Sequence, residues 1–567
     1  MRVTPHIDCA VSLSKVDEGD RMRKKRLTAV MLSVSLTLPL MGCEEVIREG
    51  LSDFLNIEIP DDEEAEREEF DVPHYDFELL QAPIDGMTDI WTQYGHDALM
   101  ESHIEYLLDQ FNVICETYLQ KEMEYYEDWN HAEKEAIYQA AYQDYYVAAD
   151  MLGWAFTNGA HKSVYQSLFE PYSDEANADY YLSYNLSRIK MSAKKYSTES
   201  QETLDDYYDI AYKEPEAFES EETLEDTNLE CAQLYLDTIG QYDLSDCLYS
   251  FYSRDYEAED VSGLYQTIAD EIAPLYLYHL LALQEAPAYE KLETEEFVVD
   301  ENPFETVWKY GSQLSEPIQE SADKLWNESL YMLGTEDKSY EGGYTVSFPT
   351  RQSAMIYLYT EGDYYDLMGA IHEFGHFHCD WRDQTPLYCQ QNCIDLAEIQ
   401  SQGMQMLFTQ FYNDLYGENA EFMRNFTLLD LLESVVSGFA VGEFEYRVMR
   451  DYDQMTAEKV VALFEEIADE CYLDYELYEI SHLYEQPGYY ISYGVSALAA
   501  LQIYAKMQHS PEEAQEMYDA LSAISSVTGE YTLCAALEEC GFEDLFDADA
   551  MKDIIAVLPS DSESDTE

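Results

Sequence analysis

Apolar and aromatic residues recur at helical spacing along most of this chain. From about Leu79, the stretches ESHIEYLLDQFNVICETYL and EKEAIYQAAYQDYYVAADMLGWAF place them at positions i, i+3, i+4 and i+7. That period gathers them on one face of an α-helix, opposite a charged face. The same spacing continues through VSGLYQTIADEIAPLYLYHLLALQEAPAY and NPFETVWKYGSQLSEPIQESADKLWNESLYML. The pattern predicts a mostly α protein with a large helical body.

One segment breaks this pattern. Residues Glu341–Tyr359, EGGYTVSFPTRQSAMIYLY, combine glycines, β-branched residues and tyrosines, which predicts a turn and one or two strands. Helical spacing then resumes as far as MKDIIAVLP, and residues 559–567 form an acidic tail. Most of the 51 tyrosines fall in the apolar stripes, so we expect most of them in the core, with their hydroxyls bonded to a partner.

The charge balance narrows the choice of partners. The chain has 117 Asp and Glu against 30 Lys and Arg, a net charge of -87. Such a surface repels nucleic acid and acidic lipid headgroups, so no nucleic-acid partner is expected. It favours cationic ligands and divalent ions, although a heavily solvated surface that keeps the protein soluble is the simpler interpretation.

The first residues have the pattern of an export signal. The basic stretch RMRKKR precedes the uncharged apolar stretch LTAVMLSVSLTLPLM, which is too short to span a membrane comfortably. The sequence LMGC that ends this region resembles the lipobox of bacterial lipoproteins. We therefore expect residues 1–42 to be a lipoprotein-type signal peptide, with Met22 as an alternative start, and Cys43 to be the lipidated N-terminus. The alternatives are an ordinary signal peptide or an anchor helix.

A lipid anchor at Cys43 would place the mature chain outside the cytoplasm, on the bacterial cell membrane, where disulfides are permitted. Eleven cysteines less Cys9 and Cys43 leave nine, an odd number that leaves at least one free thiol. Two pairs are close enough in sequence to form disulfides, although spacing does not decide it: Cys389 with Cys393, and Cys534 with Cys540.

Candidate chemistry is concentrated in DLMGAIHEFGHFHCD, which runs from Asp366 to Asp380. On a helix, His372 and His376 lie one turn apart on the same face, where two imidazoles can bind one zinc ion. Glu373 lies beside that position and can take a proton from the attacking water. Gly375 has no side chain and so allows another element to approach closely.

A catalytic zinc site needs three protein ligands and an open position, so one ligand lies outside this stretch. No histidine follows at the spacing of the HExxHxxGxxH motif, and Cys379 stands where that motif has glycine. His378 is turned about 200° around the helix from His376, which places it behind the ligands or at the surface. Glu398, inside the apolar helical stripe CIDLAEIQSQGMQML, is the better candidate. An exposed helix glutamate is the alternative in so acidic a chain.

The stretch HEFGH, followed by LAEIQSQ at this distance, resembles the thimet oligopeptidase and oligoendopeptidase F family of zinc metallopeptidases. Three further stretches are similar to that family: DEIAPLYLYHLLAL, a helix leading to the catalytic part; GGYTVSFPTRQSAMIYLY, a Gly-Tyr loop and strand beside the substrate; and SHLYEQPGYYISYGVSALAALQIY, a segment with a histidine and tyrosines. The resemblance spans roughly Asp270 to Met507. The helical N-terminal half fits the family but is not specific to it.

The resemblance implies a zincin-type metallopeptidase in which the helical body encloses a deep substrate channel and a small β element lies beside the active site. It implies one Zn²⁺ held by His372, His376 and Glu398, with Glu373 as general base and proton shuttle. It also implies roles for residues further away: Tyr493 and Tyr490 on the opposite wall, donating to the oxyanion; His482, bonding the substrate or the same oxyanion; and Gly343 and Tyr344, binding substrate. Gln402 stands where some zinc peptidases have an Asp that supports a ligand histidine.

The resemblance also implies the function: hydrolysis of internal bonds in short unfolded peptides outside the cytoplasm. The expected partners are peptides, basic ones above all given the charge, and the membrane through Cys43. Two alternatives stay open, a lipid-anchored peptide-binding protein with little turnover and a zinc or calcium scavenger. The expected organisation is a signal peptide, an acidic tether, a helical region, a zinc-peptidase catalytic region and a disordered acidic tail, in residues 1–42, 43–75, 76–330, 331–558 and 559–567.

Overall fold

The computed structural model describes most of the chain from residue 70 to residue 558. The described residues are 70, 72–172, 207–208, 210, 221–240, 249, 252, 254–289, 292, 297, 299, 302–335, 338–391, 393–548 and 551–558. The predicted signal peptide with Cys43, nearly all of the tether and the acidic tail lie outside these residues, so those expectations stay predictions.

The N-terminal part of the described chain is helical. Its helices are α1 (Glu78–Ile90), α2 (Asp97–Tyr126), α3 (Ala132–Lys162) and the short α4 (Gln166–Phe169). Helix α2 buries Met100, Ile104, Leu107 and Phe111, the spacing that its sequence predicted. The expectation that tyrosines pack in the core is confirmed here, since the rings of Tyr118 and Tyr138 are buried and stacked 6.1 Å apart.

The next helices lead toward the sheet. They are α5 (Glu221–Gly240), α6 (Ala258–Thr267), α7 (Ala273–Glu285), α8 (Pro303–Gly311) and α9 (Glu316–Glu328). A π-helical turn, Ile268–Ile272, joins α6 to α7. Helices α8 and α9 each begin with a proline in the first turn, where its missing N–H costs no helical hydrogen bond.

The sheet has three strands, β1 (Tyr331–Gly334), β2 (Gly343–Phe348) and β3 (Ser353–Tyr359), in the order β1-β3-β2. Strand β3 is in the centre, parallel to β1 and antiparallel to β2. The predicted strand region is confirmed by β2 and β3. The prediction that the helix continues through residues 331–333 is wrong. The helix ends at Glu328, and residues 331–333 pair with β3 as part of strand β1.

The remaining helices form the body around α10 (Tyr365–Asp380), the helix that contains the HExxH segment. They are α11 (Ile394–Phe408), α12 (Tyr412–Tyr416), α13 (Ala420–Arg450), α14 (Ala457–Glu470), α15 (His482–Glu485), α16 (Ile491–His509), α17 (Pro511–Ser522), α18 (Leu533–Glu539) and α19 (Met551–Val557). The helical segment Ile394–Arg450 contains a stretch that is long and apolar enough to cross a membrane, but 78% of that stretch is buried inside the protein, as in a core helix.

Two apolar cores divide the described residues. One joins helices α1 to α4 to side chains of β2 and β3, among them Tyr344 and Tyr357. The other joins α5 to α9 to the helices from α10 onward. The expected division of the chain at residue 330 stays a prediction. The sheet contributes to both cores, since Ile356 and Leu358 belong to the second one.

Helices α10 and α11 pack at very short range because of Gly375. A Cβ atom built on Gly375 would lie 2.5 Å from the Ser401 Cα and 2.8 Å from the Gln400 carbonyl oxygen. No side chain fits at these distances unless the two backbones move apart. The expectation that Gly375 admits another element is confirmed, and the element is the helix that carries Glu398.

Gly375→Ala is therefore expected to lower the free energy of unfolding by about 1–3 kcal/mol or more, since the new methyl group overpacks the helix contact. Chemical denaturation measures the change. Gly263→Ala is the matched control, because a Cβ on Gly263 of α6 meets nothing within 4 Å. That control should be neutral or gain up to about 1 kcal/mol from helix propensity. Equal stability of the two variants would contradict the steric argument.

Candidate metal centre

Two helices bring three metal-binding side chains together. His372 and His376 lie on α10 and Glu398 lies on α11, and one ligand atom from each falls within 4.8 Å of the others. The Glu398 Oε2 atom is 3.5 Å from His372 Nε2 and 3.8 Å from His376 Nε2. Two ligands bound about 2.1 Å from a tetrahedral zinc ion would stand about 3.4 Å apart. The spacing of the donor atoms therefore fits one small ion.

The charge states of the two histidines also suit a metal. Burial lowers the pKa of His372 to about 4, and burial followed by the neighbouring His372 lowers that of His376 well below its usual value. Both imidazoles are thus neutral, the form that binds metal. The His372 Nε2 and Glu398 Oε1 atoms are buried and make no hydrogen bond within the described part of the chain. A bound cation would satisfy them.

Gln405 orients one of the histidines. Its Oε1 atom lies 3.3 Å from His372 Nδ1, on the side of the ring away from Glu398, so it can accept the Nδ1–H and leave Nε2 as the metal-binding atom. Gln402, which stands where some zinc peptidases have a supporting Asp, does not take this role, since its Oε1 atom makes no hydrogen bond among the described residues. The spacing of seven residues from Glu398, two helical turns, is the signal that could have found Gln405.

Gln405→Leu is expected to weaken zinc binding by about 10- to 100-fold, because the His372 ring loses the acceptor that fixes its tautomer. Competition against a chromogenic chelator measures the affinity. Gln402→Leu, one turn earlier on the same helix, is the control and should leave the affinity within about twofold. Equal losses in both variants would mean that polarity in this core, and not the bond to His372, sets the affinity.

The candidate base is held by the sheet. Glu373 is fully buried, and the Thr345 hydroxyl on β2 lies 2.8 Å from its Oε2 atom and 3.1 Å from its backbone carbonyl oxygen, within reach of either. Glu373 Oε1 makes no hydrogen bond among the described residues. Burial, and then the charge of Glu398, raise the pKa of Glu373 well above its usual value, against the opposing effect of Thr345. Thr345 was not predicted from the sequence.

Gly343 and Tyr344, which the resemblance placed at the substrate, are adjacent on β2 and so face opposite sides of the sheet. A Cβ on Gly343 would lie 3.1 Å from Glu373 Oε1, so Gly343 borders the base and leaves room beside it. Tyr344 points to the other face of the sheet, where its buried ring stacks on Tyr357 with centroids 5.4 Å apart. The structure thus brings Gly343 to the centre but not the ring of Tyr344.

The predicted histidine and tyrosines form one cluster at the start of α16. The His482 ring packs within 5.5–5.8 Å, centroid to centroid, of Tyr489, Tyr490 and Tyr493. The Tyr493 hydroxyl is 3.5 Å from His482 Nε2, a long contact. These residues are therefore brought together as predicted, while their catalytic roles stay predictions.

The three tyrosines face different neighbours. Burial, and then the charge of Glu398, raise the pKa of Tyr489 well above its usual value. Burial raises the pKa of Tyr490, and its neighbours are Ser437 and Glu433 on α13. Tyr489 belongs to the same cluster as Tyr493, and the sequence did not decide between Tyr489 and Tyr490. The stretch GYYISY indicated that tyrosines cluster here, but the sequence does not show which of two adjacent tyrosines faces the site, because that depends on the orientation of the helix.

His378 and Cys379 stand apart from the centre. The His378 Nδ1 and Nε2 atoms lie 2.8 Å and 3.1 Å from the hydroxyl oxygens of Ser321 and Ser522, so its ring joins α10 to α9 and α17. The side chain is 2% exposed, and the alternative of a surface position is wrong.

The two disulfides considered from the sequence do not form, because all four cysteines are free thiols: Cys389, Cys393, Cys534 and Cys540.

Solved structures match this architecture, although no family model and no curated protein matches the sequence. A protein assigned as an oligoendopeptidase F superposes with a TM-score of 0.63 at 17% identity, covering 88% of this chain and 98% of that one. PZ peptidase A with a bound inhibitor gives 0.60 at 16%, over 86% and 98%. A protein assigned as an oligoendopeptidase F from Bacillus anthracis str. Ames gives 0.58 at 17%, over 86% and 96%. At these identities the likeness shows the fold alone: the chain has the mostly helical fold, with a small sheet, of the oligoendopeptidase F-type peptidases.

Proposed function

We propose that this protein is a zinc-dependent oligopeptidase that hydrolyses internal bonds of short unfolded peptides. The observation that carries the proposal is the arrangement of His372, His376 and Glu398 around one position, with the carboxylate of Glu373 buried beside them. An oligoendopeptidase F-type fold around this group supports the assignment. A zinc ion at this position would lower the pKa of water and polarise the peptide carbonyl.

The chain's own residues would supply the proton chemistry and the alignment. Thr345 can hold one oxygen of the Glu373 carboxylate, while Oε1 is left to take a proton from the attacking water and pass it to the leaving amine. Gly343 keeps the space beside that oxygen free of a side chain. Gln405 holds the His372 ring, and Ser401, whose hydroxyl lies 3.1 Å from Glu398 Oε2, holds the third ligand.

Tyr493→Phe is expected to lower kcat by about 100-fold with little change in KM, the usual effect of removing one donor to an oxyanion. Steady-state kinetics on a fluorogenic peptide measures both constants. Tyr489→Phe and Tyr490→Phe are the matched variants, and smaller losses are expected for them. A larger loss in either would move the oxyanion role to that tyrosine, and no loss in any of the three would remove it from this cluster.

The expected substrates are short peptides, basic ones above all. The net charge of -87 draws cationic peptides toward the protein and repels acidic ones, most strongly at low ionic strength. Paired Lys-rich and Glu-rich peptides, matched around one cleavage site, test this preference. Equal kcat/KM values at low salt would remove it. The proposed location is the outer side of the cell membrane, through a lipid at Cys43, and mass spectrometry of the native N-terminus tests it.

The deciding experiment uses the chain from Cys43 onward and a mixed peptide library. We expect cleavage that a chelator stops and that added zinc restores, with products that mass spectrometry maps to internal bonds. Cleavage that survives the chelator would overturn the zinc mechanism. Tight peptide binding without cleavage, in zinc-loaded protein, would instead favour the peptide-binding alternative.

A further inference from the structure

Arg254 is a buried cation far in sequence from the metal centre. It precedes α6, and its side chain is fully buried. The guanidinium packs on the rings of Tyr249, Tyr252 and Tyr256, with its carbon 4.7–5.6 Å from their centroids. A buried charge is strongly destabilising unless it is paired and its donors are satisfied. The bonds of this guanidinium therefore show what the fold uses it for.

One side of the guanidinium binds the helix of the third metal ligand. Arg254 Nε lies 3.2 Å from Asp395 Oδ2, and the Tyr256 hydroxyl donates to the same oxygen at 2.9 Å. Asp395 is in the first turn of α11, three residues before Glu398, and so lies on the same face of that helix. The pair Arg254–Asp395 therefore fixes the end of α11 that carries Glu398.

The other side binds the segment that leads into the tyrosine cluster. Arg254 Nη1 donates to the Gly488 carbonyl at 2.6 Å, and Nη2 donates to the Ser492 hydroxyl at 2.7 Å and approaches the Tyr489 carbonyl at 3.4 Å. The Gly488 N–H is bound from the opposite side by Glu445, at 2.7 Å. Gly488 has φ +79°, a conformation that favours glycine. The turn before Tyr489 and Tyr493 is thus held at both its N–H and its carbonyl.

We infer that Arg254 is a positioning residue that sets the distance between the two halves of the active site, the Glu398 helix and the Tyr489–Tyr493 wall. The inference rests on the proposed function. A planar fork with five donors reaches both halves at once, which the single ammonium of lysine cannot do. Lysine keeps the charge but loses the bridge, so Arg254→Lys separates the two contributions.

The test uses Arg254→Lys and two milder variants that each remove one hydroxyl. Tyr256→Phe weakens the Asp395 side, and Ser492→Ala weakens the Gly488–Ser492 side. Asp255→Asn is the matched control, because Asp255 accepts from Thr532 and from the first N–H groups of α18, away from the centre. For each we would measure zinc affinity by chelator competition, kcat and KM separately, hydrogen exchange of the amides 489–493, and Tm.

We expect Arg254→Lys to weaken zinc binding by about tenfold, which is the usual loss when a group that supports a metal ligand is removed. The same variant should lower kcat by a larger factor than it changes KM. Tyr256→Phe should affect mainly zinc affinity. Ser492→Ala should affect mainly kcat and the exchange of amides 489–493. Asp255→Asn should lower Tm alone.

Zinc affinity, kcat and amide exchange within twofold of wild type in both Tyr256→Phe and Ser492→Ala would overturn the inference, even if Arg254→Lys did not fold. So would losses that follow Tm in every variant, including Asp255→Asn. Failure of the proposed function looks different, since wild-type protein would then bind zinc without cleaving peptides. The affinity and exchange measurements would still test whether Arg254 positions both halves.

Discussion

Glu373→Gln should abolish peptide cleavage while leaving the protein folded and able to bind zinc. We expect kcat to fall by about 10³-fold or more, at the upper end of what a general acid–base group contributes, because one carboxylate would both accept and return the proton. Glutamine has the same shape, and the Thr345 hydroxyl can still donate to its amide oxygen. Single-turnover kinetics on an internally quenched peptide, with zinc content measured on the same sample, gives the result.

The neutral side chain also removes a desolvation penalty. Burial raises the pKa of Glu373 well above its usual value, so the charged form is disfavoured in the folded protein. Tm of the metal-free variant should therefore equal or exceed that of wild type. Thr345→Val is a useful companion, since it leaves the base but removes the hydroxyl that holds it, and a smaller loss of kcat is expected. A Glu373→Gln enzyme within tenfold of wild type would mean that another group takes the proton.

The local half of the metal centre could be predicted from the sequence because an α-helix has a fixed period. The stretch from Asp366 to Asp380 is helical almost to the residue, and His372 and His376 stand one turn apart on it. Glu398 came from the resemblance, and Gly375 explains physically how its helix reaches the histidines. Gly375 was the one feature of the local sequence that indicated close packing of another backbone against α10.

The groups that hold the centre could not be found in this way, because their partners are distant in sequence. Thr345 reaches Glu373 only once β2 has paired with β3 and packed under α10, and Arg254 reaches Asp395 across 141 residues. Strand β1 was mistaken for helix for a related reason: four residues are too few to show a period, and their pairing with β3 decides their conformation. Local pattern predicted the two histidine ligands, the resemblance added Glu398, and only the packing between elements determines which groups support them.

Glu398→Gln should abolish the rise in melting temperature that zinc causes in the wild-type protein. Loss of a supporting group costs about 10- to 100-fold in affinity, so loss of a ligand should cost more than about 100-fold. Burial raises the pKa of Glu398 from 4.5 to about 8, which means that its charge destabilises the metal-free fold increasingly as the pH rises above 4.5. Metal-free Glu398→Gln should therefore melt at or above the wild-type temperature at pH 8.

Added zinc should make the wild-type protein melt at a higher temperature than Glu398→Gln. A ligand that binds only the folded state stabilises that state by roughly 3 kcal/mol when its concentration is a hundred times its Kd. Wild-type Tm should rise and that of Glu398→Gln should not, as thermal scans with and without zinc would show. Glu122→Gln is the matched control, since Glu122 is also a buried glutamate with a pKa raised by burial to about 7, but it belongs to α2 and bonds Tyr118. An equal zinc response in all three proteins would mean that zinc binds elsewhere, most simply on the acidic surface, and that Glu398 is not its ligand.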